Sequence, residues 1–348
     1  MQKRTAMIPR LPLPLSALLL LAFSGIATAD AQDPAKPLRA GMVGLDTSHV
    51  TGFVSIFNGA KDGELTELKI VAGYPGGTDF PPSKDRVAKF TETLRGKGVE
   101  IVDTIPALLD KVDVVLLESV DGRIHLQEAR EIFQSGKPVF IDKPLAGSLA
   151  DAIAIAELAK QHHVPWFTSS SIRFAPELRK ALGNAEVGDI IGASTWGPCS
   201  YQEGTPDMFF YGIHGIEALF TLMGRGCETV TRTKGPANDQ VTGVWQGGRI
   251  GTYRGLVKGK EEFGAVTFGT KGIITSGKET GYEPLCREIV KFFKSGTPPV
   301  SAEESIEIFT FMEAADESQR QGGKPVALAD VLAKAKAEAE SKVHAANH

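Results

Sequence analysis

Short apolar runs at 40–45, 68–73, 99–102, 112–117, 139–141 and 166–168 punctuate the first half of the chain. Their composition predicts strands buried on both faces, as in a parallel sheet. Between them, spacings such as Val87, Phe90, Leu94 and Ala152, Ile155, Leu158, Ala159 predict amphipathic helices. Strands alternating with helices predict an α/β domain with a doubly wound parallel sheet and short right-handed crossovers.

After Arg173 the pattern changes to alternating polar and apolar runs at 190–196, 229–233, 241–246, 251–256 and 264–267, with glycines between them. This predicts a mostly antiparallel open sheet with one covered face. An apolar stretch of helical spacing, 208–223, lies between its first two strands and stops at Gly224-Arg225-Gly226. From Tyr282 the pattern is helical again, with Ile289, Phe292 and Phe293 on one face. Ser301 followed by Glu304 forms a capping box that opens a further helix. The expected layout is a first domain at 38–172, a second α/β domain for substrate binding and oligomerisation at 173–280, helices at 281–330 returning to the first domain, and an exposed, fraying tail at 331–348.

The amino terminus bears Lys3, Arg4 and Arg10, then an apolar stretch at 15–23 and the small-residue pattern Ala27-Thr28-Ala29. This predicts a secretory signal at 1–29, with cleavage after Ala29 or Ala31, and an exported, periplasmic protein. The stretch is too short to span a bilayer comfortably. Cleavage would remove three basic residues and no acid, making the formal charge of −4 more negative. A mildly acidic protein argues against nucleic acid or an anionic membrane as partner. Cys199, Cys227 and Cys286 are few, odd in number and widely spaced, and form no metal pattern. One disulfide or three buried thiols both remain open.

The chemistry concentrates at strand ends. Val139-Phe140-Ile141-Asp142-Lys143-Pro144 places a lysine after a buried strand, where a doubly wound sheet gathers its ligands. The first strand ends in Gly44-Leu45-Asp46-Thr47-Ser48-His49. Gly44 can open a dinucleotide turn, but Asp46 and His49 replace its second and third glycines. Asp46, Thr47 and Ser48 can each cap the following helix, and Thr47 and Ser48 would leave amide donors for a phosphate. The second strand ends in Gly73-Tyr74-Pro75-Gly76-Gly77, without the acid that ordinarily holds an adenosine ribose.

Four motifs together carry a family resemblance. They are Glu118-Ser119-Val120-Asp121 with His125, Asp142-Lys143-Pro144-Leu145, Gly212-Ile213-His214-Gly215-Ile216-Glu217, and Ser295-Gly296-Thr297-Pro298-Pro299-Val300 before a helix ending near Gly323-Lys324-Pro325-Val326. The chain resembles the Gfo/Idh/MocA family of NAD(P)-dependent oxidoreductases, especially exported, sugar-related members, over 38–328. The resemblance implies a Rossmann-like first domain and NAD or NADP as cofactor, held through Gly44, Asp46, Thr47, Ser48, His49, Glu118, Ser119, Asp121 and Asp142. It makes Lys143 the residue that contacts the reacting hydroxyl and His214 the acid/base. Lys143, Arg173, Tyr201, His214 and Glu217 are then the substrate-side candidates, with Gln202, Glu203 and Asp207 in the same polar loop as Tyr201. Arg173 is suited to holding a carboxylate, a phosphate or the interdomain hinge, and the hinge is the favoured reading.

Where many members carry an aspartate four residues before the histidine, this chain has Phe210, and Glu217 is the nearest substitute. The expected activity is oxidation of a carbohydrate or cyclitol hydroxyl by a homo-oligomer. Two alternatives stay open. One is a cofactor-free sugar-binding protein on the same fold, and the other is a lyase or glycoside-cleaving enzyme with a recycled nicotinamide.

Overall fold

The structure is a computed structural model that describes residues 36–277 and 281–344. The expected signal segment lies outside the described residues. The first sheet contains β1 (Leu38–Val43), β2 (Leu68–Tyr74), β3 (Glu100–Ile101), β4 (Val114–Leu117), β5 (Val139–Ile141) and β6 (Trp166–Thr168). They run in the order β3-β2-β1-β4-β5-β6, all parallel. The order reverses between β1 and β4, which creates a crevice at the carboxyl ends of those strands.

The crossovers are α1 (Ser48–Gly59), α2 (Pro81–Lys84), α3 (Val87–Gly96), α4 (Ile105–Leu109), α5 (His125–Phe133) and α6 (Leu149–Gln161). Ser148 caps α6 through the Asp151 amide. After α6 a short 3-10 turn, Ser171–Phe174, and α7 (Pro176–Arg179) lead into the second sheet.

That sheet contains β7 (Ile190–Pro198), β8 (Cys227–Lys234), β9 (Asn238–Trp245), β10 (Ile250–Leu256), β11 (Gly264–Gly269), β12 (Ile273–Gly277) and β13 (Val326–Ala327). Its order is β12-β11-β7-β10-β9-β8-β13, antiparallel except where β10 pairs with β7. α8 (Gly212–Met223) covers it, and α9 (Glu283–Ser295), α10 (Ala302–Arg320) and α11 (Leu328–His344) complete the described chain.

Two apolar layers hold the molecule. Met42, Leu116, Phe140 and Phe167 of the first sheet pack with Phe53 and Phe57 of α1 and with Leu285, Ile289 and Phe292 of α9. Val43, Val115, Leu117 and Ile141 point to the opposite face, whose core continues through α6 and α10 to α8 and the second sheet. Alternation along β1 thus feeds both layers, the period-two rule of a strand buried on both faces.

Several expectations need correction. The helix expected from 208 starts at Gly212, and β12 and β13 extend the second sheet beyond the five expected strands. The described part of the expected tail, 331–344, is docked helix: Ala335, Ala339 and Val343 of α11 are buried against the core that includes α6. Fully burying a Leu or Val side chain is worth about 1.5–3 kcal/mol, enough to hold the helix down. Only half of the expected capping box forms. Ser301 accepts from the Glu304 amide, while the Glu304 carboxylate turns to Arg173 at 2.6 Å. All three cysteines are free and buried. No described helix is long and apolar enough to cross a membrane.

Candidate active site

The loops leaving β1, β4 and β5 meet the start of α8 around one cavity of about 280 Å³. Thr47, Ser48 and His49 line it from the first turn of α1, Val120 from the loop after β4, and Lys143 from the loop after β5. His214, Tyr211 and Phe210 come from the approach to α8 and its first turn, and Arg86, Gln202, Phe263 and Tyr282 are also in the wall. Lys143 and His214, 71 positions apart in sequence, therefore face one space. The Lys143–Pro144 peptide bond is cis.

The lysine is held in a dense charge field. Burial lowers the Lys143 pKa, against the opposing pull of Asp142 and Glu118. Burial and the Lys143 charge hold the His214 imidazole well below its ordinary pKa, so it is neutral near pH 7. Its Nδ1 lies 2.6 Å from Ser170 Oγ, which leaves Nε2 to exchange a proton with a ligand. The sequence reading missed Ser170. A four-residue Ser/Thr run gives no sign of which hydroxyl reaches a helix more than forty positions away.

The first strand's turn resolves differently from expectation. Gly44 has φ +84°, and a Cβ there would sit 2.2–2.5 Å from Ser119, so the turn and its approach to β4 both require glycine. Thr47 is the residue that caps α1, accepting from the His49 amide. Asp46 does not cap. It is fully buried and accepts from the Val120 amide at 2.8 Å and the Ser83 hydroxyl at 2.6 Å, while burial raises its pKa. His49 Nδ1 lies 2.6 Å from Asp142 Oδ2, and its ring packs on Phe53 and Tyr282.

After β4 the candidates separate. Glu118 is fully buried, and neither carboxylate oxygen has a hydrogen-bond partner among the described residues. Burial first, then the Asp142 charge, pushes its pKa well up. Burial also acts on Asp142, but His49 and Lys143 outweigh it and hold that carboxyl below its ordinary value. Ser119 turns away, its hydroxyl bonding Glu128, and Asp121 binds Thr78 and Arg123. Ser119 and Asp121 therefore brace the loop and do not line the cavity. His125 joins two loops by bonding the carbonyls of Ser119 and Leu145.

Three substrate-side candidates lie elsewhere. Arg173 bonds Glu217 at 2.5 Å and Glu304 at 2.6 Å in a buried ion cluster tying the 3-10 turn to α8 and α10. Glu217 is thereby committed to Arg173 and does not orient His214. Tyr201 bonds Asp239, and Asp207 pairs with Arg232 and Lys234, so neither faces the cavity. Of that polar loop, Gln202 reaches the cavity wall. Phe210, where an aspartate was expected, lines the cavity and meets Phe80 edge to face.

Residues 80–169 match the sequence profile of an oxidoreductase family with an NAD-binding Rossmann fold, the Gfo/Idh/MocA family. Over that stretch the chain is similar to the family. A Salmonella typhimurium protein named as an oxidoreductase, YceM, is 31% identical over 137 residues, covering 38% of this chain and 43% of that one. The chain thus spans less than half the length of the curated relatives it matches. The fold is shared more widely. A probable dehydrogenase from Thermotoga maritima superposes with a TM-score of 0.69 at 21% identity, covering 84% of this chain and all of the other. Scyllo-inositol dehydrogenase from Lactobacillus casei, solved with NAD(H) and scyllo-inositol, gives 0.67 at 15% identity over 84% and 100%.

The residues present fit the family's dinucleotide at two places. The inward turn of Asp46 keeps its carboxylate off the start of α1, so Thr47, Ser48 and the Arg86 side of the cavity would hold phosphate. Val120, Lys143 and His214 would face the nicotinamide end. The adenosine ribose lacks an acid at the end of β2, and Asp79 beyond it is nearly fully exposed.

Proposed function

We propose that this chain is an NAD(P)-dependent oxidoreductase acting on a hydroxyl of a carbohydrate or cyclitol. The observation that carries the reading is the shared cavity of Lys143 and His214 beside the first turn of α1. Bound NAD(P) supplies a hydride acceptor. The chain's own residues manage the oxygen and its proton. Lys143 binds the substrate hydroxyl and offsets charge developing on the oxygen, while His214, held neutral, takes the hydroxyl proton at Nε2. The aromatic wall of Phe210, Tyr211 and Phe263 restricts water around the reacting carbon.

A sugar-like substrate is supported by the cavity's mix of polar groups and aromatic faces, and by the inositol named for one structural neighbour. Export through the 1–29 signal and assembly into a homo-oligomer belong to the same reading. Exposed Ile191, Ile250 and Ile273 on the second sheet support the assembly. Calorimetry with NAD⁺ and NADP⁺, followed by inositols and aldoses, tests the proposal. Binding of one dinucleotide, with nicotinamide reduction on addition of a polyol, is expected. Polyol binding with neither dinucleotide bound would favour a cofactor-free binding protein. Bond cleavage without net reduction would favour the lyase.

A further inference from the structure

We propose that His49, Glu118 and Asp142 form a binding site for one divalent transition-metal ion beside the cavity, which His49 lines. The three residues are contributed by the first turn of α1, the end of β4 and the end of β5. One ligand atom from each lies within 4.8 Å of the others, and all three residues are buried. Far apart in the sequence, they formed no metal pattern there; only the parallel sheet brings them together.

The independent observation is Glu118. A fully buried carboxylate whose two oxygens both lack a partner among the described residues is expensive to keep. Each of the other buried acids has at least one hydrogen-bond partner, although Asp239 leaves one oxygen without one. Asp46 has Val120 and Ser83, Glu128 has Ser119, and Asp142 has the Lys143 amide on Oδ1 and His49 on Oδ2. A cation between Glu118, His49 and Asp142 would complete the exception.

Charge and ligand type agree. Glu118 and Asp142 would bring two carboxylates to the ion, matching the charge of one divalent cation. One imidazole with two carboxylates matches Zn²⁺, Mn²⁺ or Fe²⁺ better than Mg²⁺, which prefers oxygen ligands and retains water. Three protein ligands leave coordination positions open. His49 lines the cavity with Lys143, so an ion held by it would lie next to the space where a substrate oxygen would bind. An ion there would act as a Lewis acid on the oxygen that Lys143 binds. The inference goes beyond the oxidoreductase reading and does not depend on it, because neither cofactor nor substrate enters the test.

The test uses the full chain, stripped with chelator and titrated with Zn²⁺, Mn²⁺ and Mg²⁺ by calorimetry and thermal unfolding. Expected are about one Zn²⁺ or Mn²⁺ per chain, a raised melting temperature, weak Mg²⁺ binding, and a loss of affinity on the order of tenfold or more in both H49A and the near-isosteric E118Q. Co²⁺ absorption gives a second readout on the wild-type protein alone. Bands of a low-symmetry nitrogen–oxygen site support the proposal, and the spectrum of the hexaaqua ion overturns it. Absence of stoichiometric binding, or binding unchanged in both variants, overturns it as well. Failure here leaves dinucleotide binding untouched, and a chain that binds metal but no dinucleotide would separate the two readings in the other direction.

Discussion

Two clusters of buried charge sit in this molecule, and they are built on opposite terms. In the second sheet, the fully buried Arg232 guanidinium is ringed by Asp207, Asp239 and Asp316, with Tyr201 bonded to Asp239. At the ends of β1, β4 and β5, Lys143 lies in the field of Asp142 and Glu118, Glu118 has no hydrogen-bond partner among the described residues, and a cavity opens against Lys143 and His49. The first arrangement answers nearly every charge from within and fixes structure. The second leaves charge to be answered by something that enters, and this distinguishes a site from a staple.

The largest expected contrast lies in activity. Lys143→Met should lower turnover by about 10²- to 10³-fold while leaving the melting temperature near that of the wild type. A fall in both together would mean that Lys143 is a structural charge like Arg232. The converse change, Arg232→Met, strands three acids and should cost about 3–5 kcal/mol in chemical denaturation, with per-molecule activity retained in the folded fraction. Unchanged stability there would dissolve the comparison.

A smaller effect concerns pH. Burial raises the Glu128 pKa to about 8, against the pull of the Ser119 hydroxyl. The folded state thus holds a proton that the unfolded chain releases at its ordinary carboxyl pKa. The stabilisation is complete below about pH 4.5 and is lost as pH rises toward 8, by up to about 1.4 kcal/mol per pH unit. Urea midpoints across that window should flatten in Glu128→Gln; an identical slope in both proteins would assign the dependence elsewhere. The smallest change is expected for Glu118→Gln in metal-free protein, within about 1 kcal/mol, because no hydrogen bond is lost. A large destabilisation would show that Glu118 already has a partner.

Much of the fold was legible because buried parallel strands write themselves as uninterrupted apolar runs, such as Val139-Phe140-Ile141. β12 was not, since only Ser276 of its five residues is buried and an exposed edge strand has little apolar signature. The docking of α11 was hidden by its small Ala contacts. At the site, Lys143 and His214 were found through their motifs. The His49–Asp142 and Ser170–His214 pairings join distant strand ends and helices, and no local spacing encodes them. Arg173 and Glu217 were read partly as substrate contacts because sequence cannot show that each already satisfies the other.

Transfer of a label bears most directly on the central claim that Lys143 and His214 serve hydride removal from a polyol carbon. A cyclitol deuterated at its ring carbons, incubated with the protein and NAD⁺ or NADP⁺, should deliver deuterium to the recovered nicotinamide in the wild type and in neither Lys143→Met nor His214→Ala. Deuterium retained on every ring carbon, across the inositols and aldoses to which the protein binds, would contradict the account.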